Sequence, residues 1–108
     1  MIYGKAGGAA NSKGTMLRKR TARDKNEPDI VKTLKECGAL VQPITAKGCP
    51  DLMVGWRGKL TLLEVKMPGK RADLTPDQDK FHALWSGYPI HVVVSADEAM
   101  RAIGIEVN

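Results

Sequence analysis

The chain has no run of eighteen apolar residues, so no membrane-spanning helix is expected. Its first residues lack the apolar core of a secretory signal, and the protein is read as cytoplasmic, with no membrane partner. Cysteine is scarce: Cys37 and Cys49 form no metal-binding spacing. They read as reduced thiols, and zinc is set aside as a metal for this chain. There is no internal repeat and no oligomerisation motif. With 108 residues, 43% of them hydrophobic, the chain can bury one modest core and has no room for a separate specificity domain.

Acidic residues are nearly missing from one stretch. Residues 1–25 carry Lys5, Lys13, Arg18, Lys19, Arg20, Arg23 and Lys25 against Asp24 alone, a local charge of +6 in a chain of net charge +5. The remainder is close to neutral, with ten bases and eleven acids. The basic stretch is thus an arm on a balanced domain. Such an arm suits a polyanion, most simply nucleic acid; a solvated tail with no specific role is the competing reading. Residues 1–15, rich in Gly, Ala and polar side chains, are expected to be flexible, leaving 16–108 as a single domain. Arg18, Lys19 and Arg20 either begin a helix or cross a phosphate backbone.

The elements read in the order α-β-β-β-α-β-α. A first helix is expected from Asn26, which can cap it, with Glu27 and Pro28 in its first turn, an apolar stripe of Ile30, Val31 and Leu34, and Gly38 as its stop. Residues 39–44 read as a strand, with Pro43 marking an edge position. Residues 51–56 and 59–66 read as two strands joined by Arg57-Gly58. A basic loop covers 67–73. Thr75 is expected to cap a helix running to Ser86, with Phe81, Leu84 and Trp85 as its buried stripe. Residues 90–94 are almost wholly apolar, as suits a strand covered on both faces. Ser95 then caps a last helix over 96–103. A mixed sheet with helices on both faces follows from this order.

Asp51 and the pair Glu64, Lys66 lie at the far ends of the two hairpin strands. A two-residue turn pairs Trp56 with Lys59 and brings Asp51 opposite Glu64, on one face of the sheet; a Gly bulge at the turn would shift the register and break that pairing. Glu64 and Lys66, two apart, share that face. The rest of it is Met53, Gly55, Leu60 and Leu62, apolar or small. Directly opposed acids repel unless something bridges them, and a divalent cation does so. Two acids can hold such a cation while a lysine meets developing phosphate charge. An ordinary exposed hairpin with a Glu–Lys pair is the plainer alternative.

Gly48-Cys49-Pro50-Asp51 followed by Glu64-Val65-Lys66 resembles the PD-(D/E)XK nuclease superfamily, and more narrowly the VRR-NUC family in its small stand-alone phage and bacterial form. Leu74-Thr75-Pro76-Asp77-Gln78, opening the next helix, strengthens the likeness, with Gln78 at the family's glutamine position. The resemblance spans about residues 20 to 104. It implies an α/β, restriction-endonuclease-like fold with a mixed central sheet flanked by helices. It implies a metal-dependent DNA endonuclease acting on branched DNA such as a four-way (Holliday) junction, and a homodimer. Asp51 and Glu64 would ligate Mg²⁺ or Mn²⁺, with the Val65 carbonyl completing the shell. Lys66 would activate water or stabilise the phosphate, and Gln78 would steady Lys66 or touch DNA. Glu27 is the counterpart of a first-helix acid, though it also serves plainly as a charge at a helix N-terminus.

Lys47, Lys70 and Arg71 flank the expected site and are candidates for contact with the DNA backbone. His82 and His91 read as structural or surface residues, lacking a partner in motif spacing. Trp56 and Trp85 read as core or interface residues rather than base-stacking ones. Three rivals remain: a DNA-binding module of this fold without chemistry, a restriction-like or transposition-associated nuclease, and an interaction protein with a basic tail.

Overall fold

The computed structural model describes residues 23–108. Arg18, Lys19, Arg20 and the expected flexible arm lie outside the described residues. The described chain is a compact α/β domain of three helices and a four-stranded mixed sheet. Its elements follow the expected order: α1 (Glu27–Glu36), β1 (Leu40–Pro43), β2 (Leu52–Trp56), β3 (Lys59–Val65), α2 (Pro76–Leu84), β4 (Ile90–Val93) and α3 (Ala96–Ile103). The sheet runs β1-β2-β3-β4, antiparallel across the first two junctions and parallel across the third. Among the described residues no helix is long and apolar enough to cross a membrane.

The hairpin fixes the register. Trp56 pairs with Lys59, and Arg57 and Gly58 both take positive φ, 49° and 79°, as a two-residue turn matched to strand twist requires. Pairing then runs to Leu52 opposite Leu63. Asp51 lies one residue beyond this ladder. Its N–H donates to the Leu63 carbonyl at 3.0 Å, and its own carbonyl accepts from Ile44 N at 2.7 Å.

One face of the sheet carries the core. Leu52 and Val54 of β2, Leu63 and Val65 of β3 and Val93 of β4 meet Ile30 and Leu34 of α1 and Ala99 and Ile103 of α3. The apolar stripe expected on α1 is the one buried. Asn26 does not cap that helix with its side chain. Its Nδ2 donates instead to the carbonyls of Lys66 at 3.0 Å and Val94 at 2.9 Å, tying together the ends of two parallel strands. Those carbonyls continue no ladder, so a side-chain donor there meets a need that a helix N-terminus can fill with water.

Two expectations are not met. β4 is not covered along its whole length: on the core face Val93 is buried but His91, opposite Leu63, is exposed, and on the other face Ile90 and Val92 are half-buried. β4 is an edge strand. The apolar stripe assigned to α2 is also turned outward. Leu84 is 82% exposed and Trp85 40%, whereas the buried residue of the helix is Gln78. Phe81 and Trp85 stack with ring centroids 5.2 Å apart, and Tyr88 meets Trp85 edge-on. α2 faces the sheet with polar groups because Glu64 lies beneath it.

Both later caps form as expected. Thr75 Oγ1 accepts from Gln78 N, and Gln78 Oε1 accepts from Thr75 N, a reciprocal capping box. Ser95 Oγ accepts from Glu98 N at 3.1 Å.

Leu63→Ala is expected to cost about 2–5 kcal/mol, since it empties a fully buried site in a central strand. Leu84→Ala is expected to stay within about 0.5 kcal/mol despite its place in an apolar stripe. Urea unfolding of the two variants checks both; a large loss in Leu84→Ala would place that stripe inside a core.

Candidate active site

Three segments converge where β2 begins and β3 ends. The 45–50 loop delivers Asp51, the end of β3 delivers Glu64 and Lys66, and the first turn of α2 lies across them. A β-carbon at Gly48 would fall 2.9 Å from the Asp77 β-carbon, and Gly48 takes φ +84°, so only glycine fits this approach of loop to helix. Lys47 Nζ lies 3.9 Å from Asp77 Oδ2 at the same junction, an exposed pair of small energetic value. Pro50 and Asp51 are both buried behind the loop.

Asp51 Oδ2 accepts a hydrogen bond from Val65 N at 2.7 Å. The carboxylate therefore does for the end of β3 what a backbone carbonyl would do, and it lies beside the peptide that joins Glu64 to Val65. Glu64 itself has no exposed surface. Its Oε2 accepts from Gln78 Nε2 at 3.0 Å, and its Oε1 lies 3.2 Å from His82 Nε2. Lys66 Nζ donates to Gln78 Oε1 at 2.9 Å. Gln78 thus joins Lys66 to Glu64, and its amide orientation is fixed from both ends: Oε1 takes protons from Lys66 and Thr75, while Nε2 gives one to Glu64.

The structure brings together Asp51, Glu64, Val65, Lys66 and Gln78 as the sequence motifs led one to expect. Glu27 stands apart in its chemistry. It is buried, and its carboxylate is gripped by the Arg23 guanidinium, with Arg23 NH2 at 2.7 Å from Oε2 and Nε at 3.2 Å from both oxygens. Arg23 also donates to the carbonyls of Ile44 at 2.9 Å and Asp51 at 3.2 Å, so the pair pins the start of α1 to the main chain around Asp51. Arg23 looked like one more charge of the basic arm.

His82 was missed as a site residue. Its only sequence signal is that it lies four residues after Gln78, on the same helical face. Burial lowers its pKa; Asp79 opposes that shift and Lys66 adds to it. With Glu64 ionised, its carboxylate accepts and cannot donate, and the ring nitrogen facing it carries the hydrogen.

The basic loop residues are committed in part to the protein. Arg71 NH2 lies 2.6 Å from Glu98 Oε2, and NH1 donates to the Val92 carbonyl at 3.1 Å. Lys70 Nζ lies 4.0 Å from Asp73, and both side chains are largely exposed.

Among the described residues, no group of three or more His, Cys, Asp and Glu side chains is gathered to hold a metal by itself. Asp51, Glu64 and a main-chain carbonyl are hard oxygen donors. That set fits Mg²⁺ or Mn²⁺, which keep waters and take phosphate oxygens beside one or two carboxylates. A cavity of about 800 Å³ lies elsewhere: it is an open hollow lined by Arg23, Lys25, Glu27, Val31 and Lys35 along α1. Compared with known proteins, the chain matches no family model, no curated protein and no solved structure.

The Arg71 hydrogen bond holds the Glu98 carboxyl below its ordinary range, with the Val94 N–H and Arg101 adding to the effect and burial opposing it. A depressed carboxyl pKa adds stability above the ordinary value of about 4.3, and that stability is lost as pH falls through the folded-state pKa. Arg71→Ala is expected to lower Tm at pH 7, and the gap from wild type should narrow as pH falls below the ordinary carboxylate range and through the folded-state pKa. Thermal melts across pH check this; a constant gap would assign the loss to packing.

Proposed function

We propose that this protein is a divalent-metal-dependent DNA endonuclease of the PD-(D/E)XK type, close in design to the small VRR-NUC enzymes. The observation that carries the reading is the linked set Lys66–Gln78–Glu64, with Asp51 on the Val65 amide. A wholly buried carboxylate beside a lysine is costly to a fold and of little structural value. It is useful where a phosphodiester is hydrolysed.

Asp51 and Glu64 would hold Mg²⁺ or Mn²⁺, with the Val65 carbonyl as a further donor. Bound there, the ion would polarise the scissile phosphate and lower the pKa of a water. Lys66, aimed by the Gln78 carbonyl oxygen, sets a positive charge where the phosphorane charge grows, and needs no reorganisation to do so. Glu27 serves as the counter-charge of Arg23, which braces the Asp51 main chain. Lys47, Lys70 and the basic residues Arg18, Lys19 and Arg20 would contact phosphates, positioning DNA without reading its sequence. Branched DNA in a cytoplasmic setting is the substrate proposed, on the resemblance alone.

A second copy of the chain is the proposed partner. Leu40, Gly55 and Leu60 form one row across three strands, and Leu40 and Leu60 are exposed there at 77% and 57%. Leu84, Trp85 and Tyr88 are exposed at the end of α2. An open apolar face of this kind suits association, and a twofold pair would present two sites to two strands.

The test is cleavage of plasmid, linear duplex and synthetic four-way junction DNA with Mg²⁺ or Mn²⁺, beside EDTA and Lys66→Ala. Metal-dependent cutting that falls about a hundredfold or more in Lys66→Ala is expected. Binding without cutting under every metal would overturn the enzyme reading and leave a DNA-binding module. Light scattering is expected to give a dimer mass that Leu60→Asp converts to monomer; a wild-type monomer would remove the second copy.

A further inference from the structure

Two buried acids lie near the Asp51 segment, and they are held by different kinds of donor. Glu27 is held by a guanidinium, which is always charged. Glu64 is held by an amide and an imidazole, neither of which need carry charge. A guanidinium neutralises the acid it grips. A neutral donor fixes the orientation of a carboxylate without adding a charge of its own.

The two donors to Glu64 come from one helix, at positions 78 and 82, so they project from the same face. Each takes a different oxygen: Gln78 Nε2 meets Oε2 at 3.0 Å and His82 Nε2 meets Oε1 at 3.2 Å. Gripped at both oxygens, the carboxylate plane cannot turn about its last bond. The His82 side chain is only 20% exposed, so it has little freedom to swing away. Gln78 alone would leave Oε1 without this second hold from α2.

We propose that His82 is a positioning residue for Glu64, donating from Nε2 to set the carboxylate in the orientation that receives a divalent cation. The proposal rests on the nuclease reading, in that it takes Glu64 as a ligand. Hydrogen bonds to metal-binding carboxylates typically contribute about 10–100-fold to metal affinity or activity. His82 touches neither DNA nor cation in this arrangement, so its loss changes metal affinity and leaves DNA affinity alone.

The test uses the full-length chain and three proteins: wild type, His82→Phe, which keeps a ring and removes the donor, and His82→Gln, which places an N–H at similar reach. Mn²⁺ affinity is read by electron paramagnetic resonance of free Mn²⁺, metal-free DNA affinity in EDTA by anisotropy, and cleavage across a Mn²⁺ titration. The expected result is Mn²⁺ binding weakened about 10–100-fold in His82→Phe, largely restored in His82→Gln, with DNA affinity unchanged in both. Wild-type Mn²⁺ affinity in His82→Phe would overturn the positioning role while leaving the nuclease reading intact. A His82→Gln protein as weak as His82→Phe would overturn the donor argument, and it does so even where His82→Phe fails to fold. No Mn²⁺ binding by wild type would overturn the nuclease reading and this role with it.

Discussion

A carboxylate with no exposed surface at the end of a central strand sets the terms for the rest of this domain. Moving such a group out of water costs several kcal/mol after relaxation unless donors are supplied. Glu64 is supplied by α2, through Gln78 and His82. That demand explains why α2 meets the sheet with polar residues and turns Leu84 and Trp85 outward. It explains too why one face of the sheet is a closed apolar core while the other is open. A helix that must serve a buried acid cannot also seal a hydrophobic layer with the same face.

The demand extends outward through Gln78. Its Oε1 takes Lys66 Nζ and Thr75 N together, so one amide satisfies a helix terminus and aims a lysine. Helix capping and site geometry are consequently the same set of hydrogen bonds. Lys66 is also fixed along its backbone: its N–H donates to the Val93 carbonyl and its carbonyl accepts from Asn26. Three segments therefore hold this one residue: α2 through Gln78, β4 through Val93 and the start of α1 through Asn26.

Those parts of the fold that depend on local rules were legible in the sequence. Element order, the Arg57-Gly58 turn, the hairpin register and the Thr75 and Ser95 caps each rest on a few neighbouring residues, and each formed as read. The site motifs were legible because their spacing on a hairpin places them together. What failed depended on contacts across the fold. Asn26 has the side chain of a cap, yet two distant carbonyls claim it. Phe81, Leu84 and Trp85 have helical spacing, which shows that a stripe exists and not which way it faces. His82 gains its role from a carboxylate 18 residues away and Arg23 from carbonyls 21 and 28 residues away, and the local spacing of four residues, His82 from Gln78 and Glu27 from Arg23, announces neither.

Arg23 shows how sequence charge misleads. Counted along the chain, it is the last strong base of a cationic arm. In the fold it is paired with Glu27 and spends its remaining N–H groups on the carbonyls of Ile44 and Asp51. Arg71 is similar, bound to Glu98 and to the Val92 carbonyl. A guanidinium fixed by a carboxylate and a carbonyl has fewer donors left for phosphate, whereas Lys47 and Lys70 reach their acids only at 3.9 and 4.0 Å and remain largely in water. Affinity for a polyanion would therefore draw on the exposed lysines of the two loops more than on the arginines beside them. The arginines instead keep the loops in place, Arg23 at the entry to β2 and Arg71 against β4 and α3. Bases left open to a polyanion and bases that shape the surface are thus separated by what each side chain already touches, which no count of charges along the sequence can give.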